Sequence, residues 1–484
     1  MILTAIIVIP LAAAALCAII RRSPAGAIIT LVGALAALAL SAWADHCVIT
    51  SPHHVLIEIS HWIELDSLGA IILSLVAFVN VTAAIFSLGY MDFKQSGSGL
   101  RYYLNYNLFV FSMLIVPMLQ EPNIVWIAVE LTTLFSVLLV GFENSHEALE
   151  AAWKYIVLTL MGAAIALLGF LLLFWAARQA GAVQPYTWSG LVAAAPKMSP
   201  VLLKAAFIFI LVGLGAKVGL VPMHTWLPDA HSQAPTPVCA LLSGVETTAV
   251  LYAILRVLTI LQASPVTHAG SWVLVFGLIS AGTAAFLLLN VRDTKRLFAF
   301  STVEHMGIIL TAVGLGGMSA HLAAILQIVG HAVTKSFCFY SAGTVLLLLG
   351  TRDIASIRGL IRRAPIAGTA LLLGGFAIAG APPFTLFLSE FSILKAGLGR
   401  GEYLAVGLLA IFISIAFFAI LNHVSRMVFG ASEATKPSEM KCRSLPTSCK
   451  ITLVIAAVPV IVLGIFISNP LHKLIVLAAI SMRG

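Results

Sequence analysis

The chain has 484 residues, of which 27 are Lys or Arg and 19 are Asp or Glu, so charged side chains make up only 10%. Hydrophobic residues make up 61%, whereas a soluble domain carries about 25% charged residues. So few charges cannot cover the surface of a water-soluble fold of this size, which excludes a cytosolic enzyme, a secreted domain and a disordered chain. The composition predicts an all-α polytopic membrane protein.

Apolar runs of about 20 residues, each long enough to cross roughly 30 Å of hydrocarbon, recur along the chain. The first run has no basic residue before it and is followed by Arg21 and Arg22, which is typical of a retained membrane anchor whose N-terminus lies outside. About fourteen spans are predicted, at residues 1–20, 25–44, 65–89, 104–120, 122–142, 153–177, 201–221, 238–261, 271–290, 296–317, 320–350, 366–398, 402–430 and 450–468.

The basic residues in the connecting loops indicate the orientation. Loops after even-numbered spans carry isolated basic residues, chiefly Arg178, Lys197 and Arg400. Loops after odd-numbered spans carry the larger groups, namely Arg21/Arg22, Lys94/Arg101, Arg292/Lys295/Arg296, Arg352/Arg358/Arg362/Arg363 and Lys436/Lys441/Arg443/Lys450. The positive-inside rule therefore places both termini on the outer, periplasmic side of the cell (inner) membrane. Because the basic residues form no continuous face, no nucleic-acid partner is predicted.

Two spans contain prolines that would interrupt a helix, Pro222 in span seven and the pair Pro382 and Pro383 in span twelve. In lipid, irregular backbone is tolerated only where protein or a watery cavity surrounds it. The breaks lie five spans apart, and an odd offset inverts the second unit relative to the first. We therefore predict two inverted five-helix repeats with broken helices 7 and 12, an architecture that places ion sites beside such breaks.

This interpretation divides the chain into four segments. Residues 1–103 form an N-terminal three-helix segment, and residues 104–261 form the first repeat with helices 4–8. Residues 271–430 form the second repeat with helices 9–13, and residues 431–484 hold a polar loop, helix 14 and a C-terminal tail. No hydrophilic stretch is long enough for a separate soluble domain.

Ionisable side chains inside the spans are costly, about 2.5–3.5 kcal/mol each on insertion scales, so each is a functional candidate. We predict a proton relay formed by Glu130, Lys217, Glu246, Lys335 and Glu390. We predict supporting or gating roles for His224, His231, Glu304, His305 and His331. These residues are spread one or two per helix, whereas metal coordination needs clustered ligands, and the six cysteines have no CxxC spacing. No metal and no cofactor is therefore predicted.

Simpler explanations remain open for several of these charges. A single buried Glu–Lys pair can serve structure alone, and Lys154 and Lys204 lie near helix ends, where a lysine extends toward water. His224 and His231 can equally hydrogen-bond carbonyl groups exposed at the first break.

The segment KVGLVPMHTWLPDAHSQAPTPVCALLSG, residues 217–244, closely resembles the signature of antiporter-like proton-channel subunits. These occur in respiratory complex I, in membrane-bound group 4 nickel–iron hydrogenases and in multisubunit cation/proton antiporters. The stretches WIAVELTTL, RDTKRLFAFSTVEHMGIIL, GHAVTKSFCFYSAG and APPFTLFLSEFSIL also resemble the family, so that the resemblance runs from about residue 65 to 430. GLGAK and STVEHMG are most similar to the hydrogenase-4 component F branch.

The resemblance implies fourteen spans, inverted repeats and a hydrophilic axis at mid-membrane. It implies that Glu130 is the span-five acid, Lys217 the span-seven base beside it, Lys335 the span-eleven base and Glu390 the span-twelve group. It also implies a proton-translocating subunit without a redox centre of its own. Its expected partners are other membrane subunits and catalytic redox subunits on the cytoplasmic side.

One position departs from the family pattern. Many complex I members carry a lysine in span eight, where this chain has Thr248, with Glu246 two residues before it. Glu246 would replace that lysine only with the opposite charge. Two other functions remain open: a subunit of a multisubunit Na⁺/H⁺ antiporter and a non-conducting structural spacer. A spacer could lose its buried charges without harm, so the presence of all four family charges argues against it.

Overall fold

The computed structural model describes residues 1–20, 23–59, 62–94, 99–184, 186–266, 268–431 and 444–482. Arg21, Arg22, Lys436, Lys441 and Arg443, which entered the orientation argument, lie outside the described residues. The helices are α1 (Ile2–Ile20), α2 (Ser23–Thr50), α3 (Ser67–Lys94), α4 (Gly99–Ile115), α5 (Pro122–Val140), α6 (His146–Gln179), α7 (Trp188–Ala194), α8 (Pro200–Val218), α9 (Trp226–Gln233), α10 (Thr236–Leu241), α11 (Thr247–Gln262), α12 (Ala269–Leu288), α13 (Thr294–Leu315), α14 (Met318–Leu349), α15 (Leu360–Arg363), α16 (Pro365–Ile378), α17 (Thr385–Gly399), α18 (Tyr403–Phe429), α19 (Thr447–Val462) and α20 (Asn469–Ser481). Short 3₁₀ turns lie at Val116–Met118, Ala195–Lys197 and Met223–Thr225, and two strands, β1 (Val55–Ile59) and β2 (Ile63–Asp66), form a hairpin.

Among the described residues, eleven helices are long and apolar enough to cross a bilayer, counting Pro200–Gln233 and Thr236–Gln262 as one span each. The chain is therefore an integral membrane protein, and the all-helical class is confirmed. The three remaining predicted spans coincide with the shorter helix α4, with the pair α16 and α17, and with α19. The total of fourteen stays a prediction, as does the division into four segments.

The ends of the spans follow from local sequence. Pro122 opens α5 at the first helical position, where its missing N–H costs nothing. The Ser145 side chain accepts from the backbone N–H of Ala148 and caps α6. Asp293 accepts from the backbone N–H groups of Lys295 and Arg296 and caps α13. Each cap satisfies donors that a helix cannot pair internally.

Both predicted helix breaks are present. Helix α8 ends at Val218, and Gly219 follows with φ of +88°. Helix α16 ends at Ile378, and Gly380 adopts φ of +75° two residues later. A left-handed backbone favours glycine, and at Gly380 an added Cβ would also collide with a carboxylate oxygen of Glu390. The second break thus brings the backbone directly against an ionisable side chain, while the inverted repeat itself stays a prediction.

Span eight is interrupted in a way that was not predicted. Helices α10 and α11 are joined by a π-helical turn at Leu242–Glu246. Such turns are rare and occur frequently at functional sites. The apolar part of this span is entirely buried inside the protein, so the turn lies in the interior rather than against lipid. It places Ser243 and Glu246 among the neighbouring spans.

The hairpin was also not predicted. Strands β1 and β2 pair antiparallel, with Leu56 opposite Leu65. Glu58 on β1 accepts hydrogen bonds from the backbone N–H groups of Leu3 (2.9 Å) and Thr4 (3.0 Å) at the start of α1. Burial raises the pKa of Glu58, but the bonds from the N-terminal amine and from this backbone lower it to about 2. The hairpin therefore fixes the first span through one ionised carboxylate.

Helix α20 occupies the segment for which only a C-terminal tail was predicted. Its buried face consists of Leu474, Ile475, Ala478 and Ala479, and Lys473 donates to the carbonyl of Ile49 at the end of α2 (3.3 Å). Thirteen helical residues span roughly 20 Å. The helix therefore covers one end of the bundle.

Candidate proton-transfer site

Lys217 lies at the end of α8, directly before the first break, and is 2% exposed. Its ammonium donates to the carbonyl of Val129 (2.6 Å) and to the hydroxyl of Thr133, one turn further along α5. The Oε1 atom of Glu246 lies 3.6 Å from the same nitrogen. Three oxygen atoms therefore face a charge that is shielded from water.

Glu246 is held by hydroxyl groups from two other spans. Its Oε1 accepts from the hydroxyl of Thr132 (2.8 Å) on α5 and from that of Tyr155 (3.1 Å) on α6. The Tyr155 hydroxyl also lies 2.7 Å from the Ser136 hydroxyl. Glu246 is therefore a buried member of the site, not a charge at a helix end.

Lys217 interacts electrostatically with Glu130, as the resemblance implies, but its closest acidic partner is Glu246. Glu130 is half-buried on α5, and its Oε2 is a buried atom without a hydrogen-bond partner. Among the described residues, the ion pair of Lys217 is with Glu246. The resemblance could not have indicated this pairing, because the family pattern has a lysine near this position.

Lys335 in the middle of α14 has a similar surrounding, but without a carboxylate. It is fully buried and donates to the carbonyl of Phe298 (2.7 Å) and to the hydroxyl of Ser301, one turn further along α13. In the described part of the chain no carboxylate lies within 4.0 Å of its nitrogen. Each lysine is thus bound by a carbonyl and a hydroxyl of one neighbouring helix, and Lys217 alone has an ion-pair partner.

His305 on α13 connects to both halves of span twelve. Its Nε2 pairs with the carbonyl of Ile378 (3.1 Å), and its Nδ1 lies 2.9 Å from the amide nitrogen of Gln327 on α14. The hydroxyl of Ser389 donates to the amide oxygen of Gln327. Glu390, next to Ser389 on α17, lies 4.0 Å from Nδ1 of His305. Gln327 and Ser389 were missed, because uncharged polar residues inside a span give no signal in the sequence.

The π-helical turn joins these two regions. The carbonyl of Ser243 lies 3.2 Å from Nε2 of His331 on α14, and its hydroxyl lies 2.6 Å from that of Thr302 on α13. The rings of His331 and His305 are 5.4 Å apart between centroids. Ser243 and Glu246 belong to the same turn, so five residues contact both the Lys217 region and the histidines of the second half.

His224 and Glu304, both predicted as supporting or gating residues, lie outside this network of contacts. His224 lies in the 3₁₀ turn after the first break, and its Nδ1 is buried without a hydrogen-bond partner. Glu304 on α13 is 4% exposed, and its Oε2 is likewise buried and unpartnered. The structure buries both residues but brings neither into a hydrogen bond with the relay residues that it describes.

Lys295 was assigned to a loop, but the structure buries it to 2% exposure in the first turn of α13. Its ammonium donates to the carbonyl of Ala234 (2.7 Å). It borders a cavity of about 420 Å³ that is also lined by Glu143, Gln233 and Arg352. A basic residue in the first turn of a helix opposes the helix dipole, which is a signal that could have singled it out.

His231 lies deeper on the same side. It is fully buried, and both of its ring nitrogens lack a hydrogen-bond partner. Its ring centroid lies 5.2 Å from that of Phe339, which is one turn beyond Lys335 on α14. The alternative that His231 bonds to carbonyls beside the break stays a prediction, since the backbone of Leu227, one turn earlier on α9, interacts with the ring.

The family described as NADH:quinone oxidoreductase/Mrp antiporter, TM, matches residues 123–416. A hydrogenase-4 component F homolog from Methylacidiphilum infernorum (isolate V4) is 37% identical over 401 residues, covering 81% of this chain and 84% of that protein. NADH-quinone oxidoreductase subunit N of Desulforudis audaxviator (strain MP104C) is 26% identical over 416 residues, covering 83% and 81%. A chain of the membrane-bound sulfane sulfur reductase, an archaeal respiratory membrane complex, shares the fold with a TM-score of 0.88 at 23% identity, covering 99% and 97%. The resemblance found in the sequence is confirmed, and the chain belongs to the membrane-embedded family shared by NADH:quinone oxidoreductases and Mrp antiporters.

Proposed function

We propose that this chain is a proton-translocating subunit of a redox-driven membrane complex of the group 4 hydrogenase or NADH:quinone oxidoreductase type. The observation that carries the proposal is the buried Lys217–Glu246 ion pair, at 3.6 Å, in direct connection with the π-helical turn. The hydrogenase-4 component F homolog, which covers most of this chain, supports a hydrogenase-type assembly.

The ion pair can store and release one proton. In one state Lys217 is an ammonium and Glu246 a carboxylate, and the carbonyl of Val129 and the hydroxyls around them compensate both charges. Transfer of the proton from nitrogen to Oε1 leaves an amine and a carboxylic acid, both neutral. Burial favours the neutral state and the hydrogen bonds favour the charged one. A change of charge or position nearby therefore selects between the two states.

The route onward runs through the turn and the histidines. The carbonyl of Ser243 accepts from Nε2 of His331 and orients this ring without carrying a proton itself. His331 lies beside His305, which faces Glu390 across 4.0 Å. An imidazole accepts a proton at one nitrogen and releases one from the other. A bridging water or a small side-chain movement closes the gap between His305 and Glu390. The direction of transfer along this route is part of the proposal.

Protons reach the site from the end of the bundle that carries Arg292, Arg296 and Arg352. The positive-inside rule assigns this end to the cytoplasm, with both termini on the opposite side of the inner membrane. The cavity beside Lys295 opens there, and His231 continues inward toward the helix that carries Lys335. The catalytic redox subunits would dock on the same face, where their charge changes act on the site.

The first experiment identifies the assembly. A tagged copy of the full chain is purified with its native complex in mild detergent, and the co-purifying proteins are identified by mass spectrometry. We expect a nickel–iron hydrogenase-like or quinone-reductase-like large subunit together with iron–sulfur proteins. Small antiporter subunits without any iron–sulfur protein would contradict the redox coupling and support Na⁺/H⁺ exchange instead.

A further inference from the structure

A cavity of about 740 Å³ lies at the opposite end of the bundle from Lys295. Lys295 is in the first turn of α13, and Gly316 and Gly317, which line the cavity, follow its last residue. The 22 residues of this helix span roughly 33 Å. The remaining walls come from α14, α17, α20 and the segment before α20. The cavity is thus separate from the proton-transfer site and takes no part in the proposed function.

Three basic side chains from two elements line the cavity. They are Lys395 on α17, Arg400 at the end of α17 and His472 on α20. Among the described residues, none of the three side chains makes an ion pair or a hydrogen bond, and no carboxylate lines the cavity. The guanidinium of Arg400 lies against the backbone of Gly317. Two cations, Lys395 and Arg400, therefore share with His472 a space that lacks a compensating negative charge.

The other walls are apolar. Leu322, Leu326, Ile467 and Ile475 line the cavity, and nearby Phe391 on α17 is 59% exposed. An aromatic ring so exposed on a membrane-spanning helix faces lipid or a partner. A soluble anion would gain nothing from the apolar walls, whereas an amphiphile would use both surfaces.

We propose that this cavity binds an anionic phospholipid. The phosphate group lies between Lys395, Arg400 and His472, and the acyl chains follow the wall formed by Leu322 and Leu326 toward the membrane. The two unpaired cations, Lys395 and Arg400, decide against a zwitterionic lipid. They also decide against a neighbouring apolar helix, because such a helix brings no negative charge to the cavity.

The affinity for phosphatidylglycerol tests the proposal. The purified full chain is titrated in detergent with phosphatidylglycerol or phosphatidylcholine of the same acyl chains, and retained lipid is counted by native mass spectrometry. Each cation close to an anionic lipid contributes roughly fivefold in affinity. We therefore expect the double variant Lys395→Gln/Arg400→Gln to lose roughly 25-fold in affinity for phosphatidylglycerol and little for phosphatidylcholine.

The matched control is Arg178→Gln/Lys197→Gln, which removes two exposed basic side chains outside the cavity and should leave the affinity unchanged. A second variant, Leu326→Trp, fills the apolar wall without changing charge and should also weaken binding. Equal affinities for the two lipids, or an equal loss in the control, would overturn the proposal. If inorganic phosphate displaced the lipid with an affinity equal to that of phosphatidylglycerol, the cavity would be a soluble-anion site, and the proposal would be overturned. A native complex in which another subunit occupies the cavity would also overturn it.

Discussion

The variant Glu246→Gln tests the proton-transfer site most directly. Glutamine keeps an oxygen that accepts from Thr132 and Tyr155, as Oε1 of Glu246 does now. It removes the negative charge that lies 3.6 Å from the nitrogen of Lys217. The substitution therefore separates the charge from the hydrogen bonds, which Glu246→Ala would remove together.

The negative charge of Glu246 stabilises the positive charge of Lys217 by several kcal/mol. Two unit charges at the 3.6 Å separation of this pair interact by about 5 kcal/mol at an effective dielectric constant of about 20. Measured losses on removing one partner of a buried pair are similar, about 3–5 kcal/mol. Even a third of this energy, applied to the transfer step, slows proton translocation by roughly tenfold. We therefore expect at least a tenfold lower rate in Glu246→Gln.

The assay uses the native complex with its own electron donor and acceptor, reconstituted into liposomes. Electron transfer and proton uptake are measured in the same vesicles, the latter with a pH-sensitive dye. The control is Glu150→Gln, which removes an exposed carboxylate whose partner Lys154 lies 2.7 Å away. We expect normal proton translocation in this control, since the pair lies outside the buried network.

A normal ratio of protons to electrons in Glu246→Gln would refute the reasoning, because the buried charge would then have no part in transport. Assembly is checked by native gel electrophoresis. If the complex with Glu246→Gln assembled as poorly as the one with Glu246→Ala, the pair would be a structural element, which is the simpler explanation that the sequence left open.

Three further predictions concern the proton relay, the cavity beside Lys295 and the hairpin. Lys217→Ala and Glu130→Ala should each lower proton translocation by the assembled complex at least tenfold while leaving assembly largely intact, as measured by dye response and native gels. Normal translocation in both variants would contradict the proposed proton relay. Lys295→Met should slow translocation several-fold without changing electron transfer through the detergent-solubilised complex, and an unchanged rate in liposomes would remove Lys295 from the route. Glu58 has a folded-state pKa of about 2, below its ordinary 4.5, so its stabilisation is complete above pH 4.5 and is lost as the pH falls toward 2. The thermal stability of Glu58→Gln should therefore lie below that of the parent at pH 7 and approach it only near pH 2. A constant difference would show that the charge is not the cause.

The sequence predicted the fold class because the main constraint is simple. Each span must be apolar, about 20 residues long and hydrogen-bonded within itself, and the two breaks are visible as prolines in otherwise apolar runs. Helix α20 and the hairpin lacked such a signal. Helix α20 has thirteen residues and begins Asn-Pro, so it is too short to be recognised as a span. The strands β1 and β2 have only five and four residues.

The candidate site was predictable in its members but not in its pairing. A buried charge is visible in the sequence because it interrupts an apolar run, as Lys217 and Lys335 do. Which acid lies against which base depends on helix rotation, and a π-helical turn changes the rotation of every residue beyond it. Glu246 is the last residue of such a turn. A sequence pattern with regular helical periodicity therefore could not place its carboxylate on Lys217.

The two lysines differ in their surroundings. Both ammonium groups are bound by a carbonyl and a hydroxyl of one neighbouring helix, but Lys217 alone has a carboxylate at ion-pair distance among the described residues. A buried positive charge is costly unless a negative charge compensates it, and among the described residues no carboxylate lies at ion-pair distance from Lys335. The π-helical turn lies between the two, with Glu246 on one side and Ser243 against His331 on the other. A movement of this one turn away from Lys217 would remove the compensation there and make the two lysines alike. The same movement would shift Ser243 relative to His331 and weaken the hydrogen bond between them. The loss of the ion pair and the release of the His331 ring would then occur together. The acid at position 246 supplies the negative charge on which this coupling would depend.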